Sequence, residues 1–223
     1  MISLQKITKT YEVARQHPVT AVNAVDLEVQ KGEFVMITGR SGSGKTTLLN
    51  LAAGLTTPTS GKTLVDGVDL WTLSDTERSS LRNRKLGFVF QFPSLMPTLT
   101  VLENVVLPTT FGADGREDAP ERALELLQTV GLAEKVSAYP RQLSAGQQQR
   151  VVLARSLINR PEVLLADEPS SNLDERTEQE IMLLFTDVHA RTGVTILMVT
   201  HTSQLVSYGT RAIEMAGGSI LPI

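Results

Sequence analysis

Eight consecutive residues carry the clearest chemistry in the chain: Gly39, Arg40, Ser41, Gly42, Ser43, Gly44, Lys45 and Thr46, with Thr47 next in line. The spacing is G-x-x-x-x-G-K-[ST], and it stands between an apolar run at 34–38 and a helical pattern at 45–53. Small residues let the backbone curl until its N–H groups converge on phosphate oxygens. A helix that begins at Lys45 adds the positive end of its dipole. Lys45 supplies a point charge for the β and γ phosphates, and the Thr46 hydroxyl is a ligand for Mg²⁺.

A second group follows another apolar run. Val163, Leu164, Leu165 and Ala166 lead directly into Asp167 and Glu168. A parallel strand delivers its C-terminal residues to the sheet edge where ligands bind. Two adjacent acids there suit a division of labour: Asp167 for the metal shell, Glu168 to polarise a water against the γ-phosphate. A third group is Leu143, Ser144, Ala145, Gly146 and Gln147, which opens a helical pattern. Ser144 to Gln147 reads as a capping box. A helix start also presents free N–H groups, and Gly146 leaves room for a phosphate, so the chain holds two anion sites.

The elements that must position these groups are readable from periodicity. The runs at 34–37, 86–90, 163–166 and 196–199 are too short for ordinary helices and fit strands buried on both faces of a parallel sheet. Helical patterns lie between them: 45–53, stopping at Gly54; 121–130, with Leu124, Leu127 and Val130 on one face; and 175–191, with Ile181, Leu184, Phe185 and Val188. Alternation at Val25, Leu27 and Val29 marks a half-buried antiparallel strand, and 63–65 and 68–70 flank the hairpin signal Asp66-Gly67. The expected fold is α/β: a RecA-like P-loop NTPase core with an antiparallel β subdomain and an inserted helical subdomain. One domain spans 1–223, with 1–92 and 159–223 as core and β layer and 93–158 as the helical lobe.

Composition narrows the partners. Hydrophobic residues make up 41% of the 223, enough for a packed core, and aromatics only 4%, so that core is aliphatic. Lys and Arg number 21 against 24 Asp and Glu, a net charge of −3, so the basic excess of a phosphate-neutralising nucleic-acid binder is missing and no nucleic-acid partner is expected. There is no Cys, which excludes disulfides, zinc–thiolate sites and a thiol nucleophile. No secretory signal and no run near the ~18–20 apolar residues of a membrane span is visible, so the expectation is a cytoplasmic chain.

With these residues in view, the sequence resembles the ATP-binding subunits of ABC transporters, over essentially its whole length. The matching features are the phosphate loop 39–46, the glutamine-loop residue Gln91, the signature 143–147, and Ala166-Asp167-Glu168. Two more follow: the D-loop from Ser171 to Asp174, and the switch histidine His201 after the strand at 195–200.

The resemblance implies ATP and Mg²⁺ as cofactors, with Thr46, Gln91 and Asp167 around the metal and Glu168 and His201 as catalytic groups. It implies a sandwich in which Ser144, Gly146 and Gln147 of one copy close over ATP on the phosphate loop of a second copy, with Asp174 coupling the two sites and Tyr11 stacking on adenine. It implies an integral membrane permease as partner and a peripheral place on the cytoplasmic face of the inner membrane. The other two histidines, His17 and His189, are given no role. Two positions depart from the family pattern: Ala145 stands where Gly is usual, and Thr202 where Asp is usual.

The long segment 12–23 and the stretches 81–91 and 167–174 resemble the branch that contains LolD, MacB, HrtA and FtsE. This implies an exporter or an extrusion system for lipoprotein, haem or peptide. The alternative is an FtsE-like mechanical ATPase that signals without moving cargo. The segment after Gln91, 92–100, is apolar and interrupted by Pro93 and Pro97, and is expected to dock the permease, with Leu95 and Met96 at the contact.

Overall fold

The protein is described by a computed structural model covering residues 2–12, 17–112 and 118–221. Of the segment 12–23, residues 13–16 lie outside the described residues.

The chain opens with β1 (Ile2–Tyr11) and β2 (Val19–Val29), then β3 (Phe34–Thr38), α1 (Lys45–Ala52), β4 (Ser60–Val65) and β5 (Val68–Asp69). Next come α2 (Asp75–Lys85), β6 (Leu86–Val89), α3 (Val101–Val106), α4 (Ala119–Thr129) and α5 (Ala145–Leu157). It closes with β7 (Val163–Asp167), α6 (Glu175–Thr192), β8 (Thr195–Val199), β9 (Arg211–Ala216) and β10 (Ser219–Ile220).

Among the described residues the strands form two sheets, ordered β2-β1-β4-β5 and β10-β9-β3-β8-β7-β6. The first is antiparallel throughout. In the second, β9, β3, β8, β7 and β6 run parallel, and β10 turns back on β9.

The four short apolar runs are therefore neighbours in one parallel sheet, and alternation explains why they read as unbroken. Phe34, Met36, Leu164, Ala166, Ile196 and Met198 face the cluster built with α3 to α6. Val35, Ile37, Val163, Leu165, Leu197 and Val199 face the cluster built with α1 and the antiparallel sheet. Both faces are dry, and each fully buried aliphatic contributes about 1.5–3 kcal/mol. The hairpin at Asp66-Gly67 forms with both residues left-handed (φ 50° and 80°), and Val65 opposite Val68.

Several expectations need correction. Leu124 is 46% exposed; Leu127 and Val130 are buried as the spacing reads, and Ala119, Ala123 and Leu126 complete the buried face of α4 in place of Leu124. Met182, rather than Leu184, belongs with the fully buried residues of α6. Strand β5 ends at Asp69 because its carboxylate accepts from Trp71 N and starts a 3₁₀ turn at Leu70. Phe90 lies just past β6 and is exposed. Strand β9 was not foreseen, although Ile213 and Met215 are buried while Glu214 and Ala216 between and after them are exposed. Helix α2 has no buried residue and so no apolar stripe to read; only its capping box, Ser74 with Glu77, was available.

Candidate functional site

The C-terminal ends of β3 and β7 bring the phosphate-loop residues and the acids to one edge. A cavity of about 370 Å³ there is lined by residues 41–47, Gln91, Glu168 and Ala21. Glycine is required at two corners of the loop by close approach as well as by conformation. Gly39 (φ 144°) lies where a Cβ would come within 2.2 Å of the Met215 carbonyl oxygen, and at Gly44 (φ 100°) within 2.1 Å of the Ala21 carbonyl oxygen. Strands β9 and β2 thus press on the loop from behind. Ala21 and Met215 are parts of the site that the sequence reading missed, and nothing in their residue types could have announced them.

Helix α1 begins at Gly44 with no side-chain cap and no acid in its first turn, whereas α2, α3 and α5 all carry capping boxes. Its first N–H groups are left for a ligand. The Ser43 hydroxyl is buried with no hydrogen-bond partner among the described residues. An orphaned hydroxyl beside uncapped N–H groups fits an anion with many acceptor oxygens, as a polyphosphate has.

The charged groups are engaged with one another. Lys45, 5% exposed, donates from Nζ to Gly39 O (2.8 Å) and Arg40 O (3.1 Å). Arg40 and Ser41 are exposed on the loop. The Thr46 hydroxyl donates to Asp167 Oδ1 at 3.0 Å. Burial pushes the Asp167 carboxyl above its usual range, and the Thr46 hydrogen bond opposes this in part. His201 Nδ1 lies 2.8 Å from Glu168 Oε2, and Glu168 holds a left-handed backbone (φ 43°), unusual for a side chain other than glycine. Its N–H donates to Val199 O at 3.0 Å, which fixes that turn to the neighbouring strand. Gln91 Nε2 donates to Ser171 Oγ at 3.3 Å, joining the ends of β6 and β7.

The donor set suits Mg²⁺: a hydroxyl, a carboxylate and an amide oxygen are hard ligands. No group of three or more His, Cys, Asp or Glu side chains able to hold a metal occurs among the described residues. Oxygens from a bound nucleotide are needed to complete such a shell.

Other expected residues lie outside this cavity's lining. Ser144 caps α5, accepting from Gln147 N at 3.3 Å, while Ser144 N donates to Gln147 Oε1 at 3.0 Å. Ser144 and Ala145 are exposed. Gly146 is buried, and a Cβ there would lie 2.4 Å from Thr177 Cγ2. Helix α6 of the same chain therefore gives a steric need for glycine at this position. Asp174 caps α6, accepting from Thr177 N (3.0 Å) and from the Thr177 hydroxyl (2.7 Å). Those hydrogen bonds, the side-chain one first, hold its carboxyl below the usual range. Tyr11, 40% exposed, stands opposite Val19 with Lys9 Nζ 5.1 Å from its ring centre. His189 Nδ1 meets Val194 O at 2.8 Å and its ring packs by Phe34. Thr202 N bonds the Thr200 hydroxyl at 3.1 Å, so the bracing of His201 comes from Glu168.

Residues 22–171 match the family model described as ABC transporter. The chain is 41% identical, over 99% of its length and 99% of the relative's, to the lipoprotein-releasing system ATP-binding protein LolD of Bacteroides thetaiotaomicron. It is also 41% identical, over 99% of its length, to the macrolide export ATP-binding/permease protein MacB of Rhodopirellula baltica, but spans only 32% of that relative. Among solved structures, the dimeric ABC transporter cassette MJ0796 superposes with a TM-score of 0.90 at 41% identity, covering 100% of this chain and 97% of the other. A second structure of that cassette is a post-hydrolysis state bound to ADP and Pi. The chain belongs to the ABC transporter family, as an ATP-binding cassette of the LolD/MacB type.

Proposed function

We propose that this chain is the ATP-hydrolysing subunit of an ABC complex, in which two copies close over ATP and so drive a membrane permease for export or lipoprotein release. One observation carries it: an uncapped helix start, an orphaned buried hydroxyl and Lys45 share one edge with the Thr46–Asp167 and Glu168–His201 pairs. No helix among the described residues is long and apolar enough to cross a membrane.

In this reading Lys45 exchanges its two loop carbonyls for the β and γ phosphates. The Ser43 hydroxyl and the first N–H groups of α1 gain acceptors. Thr46 and Asp167, with Gln91 beside them, hold Mg²⁺. When bound, that ion neutralises charge developing on the phosphates. Glu168 takes a proton from the attacking water, and the γ-phosphoryl group passes to that water with ADP leaving. His201 Nδ1 faces the Glu168 carboxylate, which leaves Nε2 for the γ-phosphate. Ser144 and Gln147, exposed and away from this cavity, serve the ATP of the second copy, and Asp174 sits beside them through Thr177. Tyr11 lies on the sheet that contributes Ala21 and supplies a face for adenine. Residues 93–158 form the helical subdomain in this reading.

The docking expectation changes in detail. Leu95 is half-buried against the core, whereas Met96 (47% exposed), Phe92 (64%) and Phe111 (75%) are open. Of these, Phe111 lines a cavity of about 380 Å³ together with Phe88, Phe90 and Leu107. The deciding experiment is Mg²⁺-dependent ATP turnover together with size-exclusion of Glu168→Gln in ATP. A chain that neither turns over ATP nor pairs in it refutes the reading.

A further inference from the structure

Arg155 is a cation with an unusual set of partners. It lies in the last turn of α5, half-buried, and no carboxylate pairs with it among the described residues. Its Nη1 donates to Ser94 O and its Nη2 to Pro93 O, both at 3.0 Å. Burial alone pushes the guanidinium pKa down. Holding a desolvated charge against neutral carbonyls is costly, and a planar fork that grips two successive carbonyls is something Lys cannot reproduce.

The gripped segment is the strap that leaves the nucleotide edge. Gln91 starts it, hydrogen-bonded to Ser171. About two turns of α5 before its end, the buried Gln149 reaches Phe90 O at 3.4 Å. Ser94 is left-handed (φ 46°), which turns the strap where Arg155 holds it. Beyond, Asn104 of α3 takes Met96 N (2.8 Å) on its Oδ1 and donates to Met96 O and Leu99 O, both at 3.1 Å. The first half of the strap is thus pinned to α5 and the second to α3. The other end of α5 is Ser144, about 16 Å away at 1.5 Å per residue.

Resting on the function proposed above, we propose that Arg155 is a positioning residue that locks the strap after Gln91 to helix α5, so that Gln91 and Ser144 move as one body. A shift of the strap, whether from the γ-phosphate side at Gln91 or from a partner on Met96, is then carried along α5 to the residue that closes on the second copy's ATP. Without the fork, phosphate binding in each copy is untouched and closure is misaligned.

The test uses the full chain with Arg155→Met, which keeps length and apolar packing, and Arg155→Lys, which keeps charge and folds where Met does not. Nucleotide affinity is measured with a fluorescent adenine nucleotide at protein concentrations too low for pairing. Turnover is measured against ATP concentration. The expected result is nucleotide affinity within about twofold of wild type and kcat lower by about 10- to 100-fold, the scale of a small misplacement of reacting groups. Arg155→Lys should fall between, and Lys in place of the fork should not restore wild-type kcat. Wild-type kcat in either variant, or a loss of affinity that matches the loss of kcat, overturns the inference. A wild-type chain without turnover sinks the function reading and this inference with it; active wild type with unaffected variants sinks this inference alone.

Discussion

Asp167 is half-buried at the end of β7 with the Thr46 hydroxyl as its hydrogen-bond partner. Burial raises its pKa, so the folded chain binds the proton more tightly than the unfolded one. Stability therefore falls as pH rises from the unfolded pKa through the higher folded value, and the loss persists at neutral pH. Asp167→Asn keeps an acceptor for Thr46 and removes the charge. We expect it to raise the melting temperature of the nucleotide-free protein at pH 7, to leave it unchanged near pH 3, and to abolish the further rise that Mg²⁺-ATP gives wild type; thermal melts at the two pH values check this. Glu168→Gln alters neither shape nor the left-handed turn. It should retain ATP binding while turnover drops by about 10²–10⁴-fold, the usual contribution of a general base; turnover within tenfold of wild type removes Glu168 from that role. Lys45 and His201 separate differently. Lys45→Ala should weaken ATP binding by about 10- to 100-fold, because a charge-assisted hydrogen bond is worth about 1.5–3 kcal/mol. His201→Ala should lower turnover with binding changed less than about threefold. Equal losses of binding by titration would refute that division. Residues of this kind were readable from the sequence because their chemistry fixes both type and spacing. The Ala21 and Met215 carbonyls that shape the loop were not, because a backbone carbonyl leaves no mark in the sequence.

At the scale of elements, helix starts do two opposite things. The start of α1 is bare, and the start of α5 is closed by Ser144 and Gln147. Behind α5, Gly146 lies against Thr177 of α6, and the Thr177 hydroxyl is fastened by Asp174. The three residues form a mechanical link between the signature helix and the D-loop within one copy. Gly146→Ala should destabilise the fold by about 1–3 kcal/mol through overpacking. Thr177→Ser removes the methyl in the way but keeps the hydroxyl for Asp174. The double variant should therefore recover most of the loss in denaturant unfolding, and no recovery would mean that α6 is not what demands glycine there. This link was only half visible beforehand. Ser144, Gly146 and Asp174 stood out by type, but Thr177 sits in an ordinary amphipathic stretch, and which face of α5 meets α6 depends on packing across 30 residues of sequence. The same limit explains α4, where spacing favoured Leu124 and the fold buried Ala123 and Leu126. By contrast the four central strands could be read directly, since burial on both faces makes a short, unbroken apolar run.

At the scale of the whole molecule, the chain presents two surfaces that its own fold does not use. One holds Ser144, Ala145 and Asp174, all exposed and none lining the phosphate cavity. The other holds the exposed Phe90 and Phe111 at a groove whose lining includes Arg82 and Arg155 and no acidic residue, with Phe92 and Met96 exposed on the strap that follows Phe90. Exposed aromatics in one place are costly to leave in water and mark a contact. Cationic groups among them favour a partner segment that is apolar and carries a carboxylate. The two surfaces should fail independently. Ser144→Arg adds bulk and charge where a second copy closes, so ATP-dependent pairing of the Glu168→Gln background should disappear by size-exclusion while monomer nucleotide binding persists. Phe111→Asp, alone or with Met96→Asp, puts negative charge where a carboxylate-bearing partner sits. It should release the co-expressed permease in a pull-down while leaving ATP turnover of the isolated cassette within about twofold, because neither residue touches the cavity at the phosphate loop. Retention of the permease by the double variant would place the docking surface elsewhere. Loss of turnover in the isolated, folded variant would mean that this surface belongs to the nucleotide site instead.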